Sequence, residues 1–370
     1  MNKMYTHNAK ISVRQAKILL ILQMFNMSML ILPRIAGSIV GNDGYLLPIV
    51  AFVFGSIYVL SIVSLLERFP GEGLDTIAPK LLSKWIGIVV VILFTIKLII
   101  GAGLEVRMFA EMVSQVLLPT TPLPVIILIL LITVHYLIKS GLEATGRMGE
   151  VVAYFVFIPL IFVFSILVIR TDYKQLMPFF TARIKGALGG AYLVSMTFVP
   201  LEFILIIGNL VSKQYKLKSI CLWAIGIVSF FEVILIALTF TGVGVITTTK
   251  QVWPVLTLMQ SIQLPGSILE NQDILMMSLW IISVYMYISG TIYVASLTLS
   301  RLAHFNRQNV TVLPLIPIVF FISMLPGSLA QAYKYLVGFN AIINPVFLFI
   351  VPIVLYTLSK IRHIGGKKHA

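Results

Sequence analysis

The chain is poor in the residues that most soluble functions need. Its 370 residues include one cysteine, five histidines and only 13 acidic side chains, and charged residues make up 11% of the total. With Cys221 as the sole thiol, an intramolecular disulfide, a thiolate metal cluster and dithiol redox chemistry are all excluded. The histidines are scattered over tails, loops and one span. No GxSxG, GxxxxGK[ST] or HExxH occurs, so neither a nucleophile elbow, a nucleotide phosphate loop nor a zinc-protease helix is encoded, and no enzyme, cofactor or metal is expected. The sequence also lacks a linker, a charge block or a low-complexity tract long enough to divide it.

What it has is apolar length. Hydrophobic residues are 59% of the chain and mean hydropathy is +1.02, more apolar surface than a water-soluble fold can carry. A membrane-crossing helix needs roughly 20 apolar residues. Ten such stretches are read at 15–38, 45–66, 85–105, 123–139, 150–169, 188–211, 219–243, 274–300, 312–326 and 339–358. A run such as VVAYFVFIPLIFVFSILVI is apolar on every side, which excludes the every-second-residue alternation of a membrane β-barrel. The expectation is an all-α membrane protein forming one domain over 1–370. The basic excess supports this reading: eighteen of the 27 Lys and Arg fall on alternate loops counted from the N-terminus and eight on the other side, leaving Lys97 within a span. That bias places both termini in the cytoplasm, or facing the core of a spore. The net charge of +14 then reports topology and attraction to anionic lipid, not nucleic acid.

The first and sixth spans share a pattern. SMLILP at Ser28 to Pro33 and SMTFVP at Ser195 to Pro200 lie at one offset of 167 residues. Ten spans then divide into repeats of about 12–170 and 187–360, and an odd number of spans per half sets the halves in opposite orientation. Pro33 and Pro200 each remove a backbone donor, and the predicted breaks leave main-chain groups at mid-membrane beside Asn26, Met27 and Ser28, and beside Ser195, Met196, Thr197 and Phe198. Two prolines that merely kink packed helices are the plainer alternative.

Lys97 lies 12 residues past Trp85, near the bilayer centre. A lysine there must face a cavity or a counter-charge. A structural pair with Glu202 or Glu232 and a role in holding a ligand carboxylate are both open. Glu105, just after Gly101 and its GAG run, joins Glu202 and Glu232 as a candidate for proton sensing, whereas Arg107 and Glu111 read as a solvated helix end. The eighth span is rich in hydroxyls, and Tyr285, Tyr287 and Ser289 are candidates to line a pocket, with small-residue packing as the alternative.

Four segments carry a resemblance: ISVRQAKILLILQMFNMSMLILPRIAG, FPGEGLDTIAPKLLSKWIG, EVRMFAEMV from Glu105 and WPVLTLMQSIQLPG from Trp253. Over nearly its full length the chain resembles the endospore germination permeases, the membrane B subunits of nutrient germinant receptors in the amino acid/polyamine/organocation superfamily. The resemblance implies a LeuT-like five-plus-five inverted repeat whose ligand site lies where the broken first and sixth helices meet the third and eighth. It implies a small germinant (an amino acid or similar), A and C subunit partners, and a place in the spore inner membrane or the cell membrane. The runner-up is a proton- or sodium-coupled amino acid secondary transporter. The chain departs from its superfamily in having Asn26 and Ser28 where glycines are usual, Lys97 where an aromatic is common and no lysine in the fifth span.

Overall fold

The computed structural model describes residues 10–171, 173–261, 272–305 and 309–366, without the side chains of 26–29, 170, 261, 272–276, 279 and 309. The described residues are helical nearly throughout. They form ten crossings once interrupted helices are joined. Seven helices are long and apolar enough to span a membrane on length and composition alone, and Leu123–Lys139 and Val310–Met324 are shorter apolar helices. Val13–Leu30, 18 residues or about 27 Å, supplies the tenth.

The first span is Val13–Leu30 continued by Leu32–Val40, the second Leu47–Arg68 and the third Lys84–Val116. The fourth is Leu123–Lys139 and the fifth Gly141–Arg170. The sixth begins as Ile184–Ser195 and continues through Met196–Phe203 and Ile204–Ile207. The seventh, eighth and ninth are Leu217–Val243, Gln272–Leu302 and Asn309–Met324. The tenth runs from Leu329–Ile342 to Val351–Ile361, starting ten residues before the apolar run at 339 that marks it in the sequence. Among the described residues three short α-helices lie in the connections: Leu74–Leu81, Val245–Lys250 and Pro254–Ser261.

Three spans are irregular, and proline chemistry accounts for each. Pro33 has no N–H to offer the carbonyl of Met29, and the first span halts at Ile31 before restarting at Leu32. Pro200 likewise leaves the carbonyl of Met196 without its donor. The chain from Met196 to Phe203 tightens into a 3₁₀ helix. In the tenth span Pro345 and Pro352 flank a π-helical turn, Val346–Ile350. The 167-residue offset carries Ile31 onto Phe198, inside the 3₁₀ stretch, so the matching motifs mark matching interruptions in two inverted halves.

The polar side chains are sorted by depth. Ser283, Ser289, Thr291, Ser296, Thr298 and Ser300 of the eighth span are all buried, whereas Phe155, Phe162, Ile169 and Phe321 point outward as a lipid-facing surface should. One face of the bundle carries both described ends. There Ile11 exchanges backbone bonds with Leu210 (3.1 Å) and Ser212 (3.0 Å), and the Gly366 N–H donates to the Arg68 carbonyl (2.9 Å). On the far face Asp43, at the turn between the first two spans, accepts from the Phe180 and Ala182 N–H groups (2.7 Å each) and the Thr181 hydroxyl (3.0 Å). Asp43 thus ties that turn to the connection before the sixth span.

The short helix Leu74–Leu81 packs so tightly on the third span that a Cβ at Gly87 would stand 2.3 Å from Pro79 Cα. Gly87→Val is expected to lower stability by about 1–3 kcal/mol or more through overpacking. Gly226→Ala, whose added carbon meets only Phe52 at 3.6 Å, should not. Thermal unfolding of the two variants in detergent checks the contrast.

Candidate ligand-binding site

At mid-depth the third, sixth, eighth and tenth spans enclose a polar chamber. Lys97, Leu98, Gly101 and Glu105 enter from the third span and Glu202 from the 3₁₀ stretch of the sixth. Tyr287 and Thr291 come from the eighth span, and Leu336, Phe339, Asn340 and Asn344 from the tenth. Helical spacing explains the first set: 97, 101 and 105 are one turn apart and share a face.

Lys97 Nζ donates to Glu202 Oε1, and both side chains are buried, at 4% and 1% exposure. Of the two carboxylates within reach on sequence grounds, Lys97 therefore takes Glu202. Glu232 is buried on the seventh span away from the chamber. The pair ties the third span to the interruption of the sixth. Two ions removed from water at this depth survive only as partners, since either alone would carry an uncompensated desolvation cost.

The acceptors around the pair are not all used. Glu105 Oε1, Glu202 Oε2 and Asn344 Oδ1 are each buried without a hydrogen-bond partner among the described residues. Asn344 spends its amide N–H on Asn340 Oδ1 at 2.7 Å, which leaves its own carbonyl oxygen open. Arg107, one turn from the chamber, is held by Glu111 (2.8 Å) and the Ser323 carbonyl (3.4 Å) and is buried, not a solvated helix end.

The chamber is nearly filled by its own side chains, a cavity of about 10 Å³. That is room for about one water at most. Toward the far face it adjoins a small apolar vestibule of about 30 Å³ at the break of the first span, lined by Ile31, Leu32, Met196 and Thr197 and sharing Leu336 and Asn340 with the chamber. Toward the termini face the way is shut by Arg301, at the end of the eighth span. It bonds Asp75 Oδ1 (3.2 Å), the Ile206 carbonyl (3.2 Å) and Asn209 Oδ1 (3.5 Å).

Lys97, Gly101, Glu202 and Tyr287 thus meet in one chamber, while Met196 and Thr197 line the vestibule next to it. Ser195 bonds the Tyr58 hydroxyl (3.0 Å) and the Tyr192 carbonyl (2.7 Å), and Phe198 fills the space beside Gly55 on the second span. Tyr285 points to the fourth span, its hydroxyl donating to the Thr133 carbonyl (3.1 Å), and Ser289 is buried outside the chamber lining. The side chains of Asn26, Met27 and Ser28 lie outside the described residues. Asn340 and Asn344 were not singled out in the sequence, although two asparagines one turn apart before Pro345 in an apolar span were the available signal.

Removing one half of the buried pair leaves the other charge stranded. Lys97→Met is expected to cost about 3–5 kcal/mol, and Lys97→Met/Glu202→Leu to recover most of it. Expression level and thermal stability of the single and double variants measure this, and additive losses would contradict a coupled pair.

Comparison with known proteins agrees with this architecture. Among solved structures, the crystal structure of MhsT in complex with L-phenylalanine superposes with a TM-score of 0.72 at 14% identity, covering 95% of this chain and 90% of that one, which establishes a shared LeuT-type fold. Spore germination protein YndE of Bacillus subtilis (strain 168) is 25% identical over 98% of this chain and 100% of its own. Spore germination protein A2 of the same organism is 27% identical over 84% of each, and spore germination protein B2 is 22% identical over 97% of each. The family profile described as "Spore germination protein", a spore permease family, matches residues 10–332, and the chain, a multi-pass membrane protein, belongs to that family.

Proposed function

We propose that this chain is the membrane subunit of a spore nutrient germinant receptor, binding a small germinant, an amino acid or a similar molecule, in the chamber between its interrupted spans. One observation carries the reading: buried, unpartnered acceptors gather beside the broken sixth span in a chain of the germination family. Ligand entry from the vestibule separates walls that now leave room for about one water. The shift is passed to A and C partner subunits, which read the changed equilibrium. The chain acts as one membrane domain, its repeats at about 12–170 and 187–360, in the spore inner membrane with both termini facing the core.

The runner-up is a proton- or sodium-coupled amino acid secondary transporter. It is favoured by the fold shared with MhsT, solved in complex with L-phenylalanine, and by Arg301 standing between the chamber and the termini face. Uptake into proteoliposomes separates the two: binding without flux is the sensor, gradient-driven accumulation the transporter.

Deletion in a spore former without redundant receptors should abolish germination with one nutrient and spare the others. Complementation with a Gly101→Leu variant should leave the protein present and that response lost. Spores of the deletion strain that respond normally to every nutrient would refute the receptor reading.

A further inference from the structure

We propose that the chamber recognises the ammonium group of its ligand, with Glu105 as counter-ion and Glu202 Oε2 and Asn344 Oδ1 as further acceptors; the inference rests on the chamber being the ligand site. Within the lining there is one fixed cation, Lys97, and two carboxylates, Glu105 and Glu202. Lys97 is committed to Glu202 and Arg107 to Glu111, so among the described residues Glu105 has no cationic partner. Its side chain is 94% buried and its Oε1 has no hydrogen-bond partner.

The unfilled atoms are alike in kind. All three are acceptors, and the one cation among the lining side chains already faces Glu202. An alkylammonium carries three N–H donors, one positive charge and no lone pair, so it satisfies three acceptors and neutralises the surplus carboxylate together. A hydroxyl brings one donor and two lone pairs, and leaves both the charge and two of the acceptors uncompensated. A ligand carboxylate would meet Glu105 as a like charge.

Size points the same way. A Cβ at Gly101 would touch Phe339 Cε1 at 3.6 Å, so the walls close on the space beside Glu105 and favour a compact head group over a branched or ring-bearing one. The bulk of the ligand then extends toward Leu336 and the apolar vestibule.

The test uses the full-length chain in lipid nanodiscs, titrated with α-amino acids and aliphatic primary amines. Each is paired with the hydroxyl analogue of the same carbon skeleton, and binding is read by thermal stabilisation and calorimetry. The amine member of a pair is expected to bind on the order of tenfold or more tighter. That preference should vanish in Glu105→Gln and survive, at reduced affinity, in Glu105→Asp and Asn344→Leu, so a Gln variant that fails to fold leaves two others to decide. Hydroxyl analogues that bind as tightly as amines, or a preference kept by Glu105→Gln, would overturn the assignment and leave Glu105 as a proton carrier. Gly101→Ala separates the two levels of the argument. Binding weakened by it but blind to the amine refutes only the ammonium, whereas binding indifferent to it, or no binding by any pair, refutes the chamber as the ligand site as well.

Discussion

The structure turns on the pairing of Lys97 with Glu202. A lysine on a mid-membrane turn of the third span would be expelled or neutralised on its own, and a carboxylate on a 3₁₀ stretch in the same plane would fare no better. Together they are tolerated, and in tolerating each other they fix the third span against the interruption of the sixth. The break at the sixth span is therefore anchored by charge as well as by Pro200. The chamber exists because a charge pair and a helix break meet at one depth.

Around that pair most polar groups turn away from lipid and many find partners. Hydroxyls of the eighth span turn inward, several returning their protons to carbonyls one turn back, as Thr291 does to Tyr287 and Thr298 to Val294. Asp43 collects donors from the connection before the sixth span, and Arg301 collects acceptors from three elements at the other face. Other buried atoms without a partner, such as Ser229 Oγ, Ser283 Oγ and Trp253 Nε1, lie scattered through the bundle, whereas Glu105 Oε1, Glu202 Oε2 and Asn344 Oδ1 share one chamber where the helices are least regular.

Much of the architecture was legible in the sequence because membrane solvation is a strong constraint. Ten apolar runs, a basic bias between alternate loops and a motif repeated at 167 residues lead to ten crossings and interruptions in the first and sixth spans. The site was legible where charge made it so: Lys97 and Glu202 are conspicuous in an apolar run. It was illegible where several hydroxyls compete on one helix. Tyr285 and Ser289 share one helical face and Tyr287 lies on the other, yet the sequence does not say which face turns to the chamber; the structure sends Tyr287 there and Tyr285 to the fourth span. The tenth span was the hardest to read, since its break comes from Pro345 and Pro352 acting on a π turn that no pairing with another span announces.

The claim that a small ligand sits in this chamber has a direct test, aided by the scarcity of thiols. With Cys221→Ser as background, Gly101→Cys places one reporter on the chamber wall, and its alkylation by iodoacetamide, which releases iodide, is timed with and without the nutrient that triggers germination. The account predicts that the nutrient slows alkylation at Gly101→Cys while a lipid-facing Phe321→Cys reacts at an unchanged rate. Equal alkylation of Gly101→Cys with and without a nutrient shown to bind would contradict it.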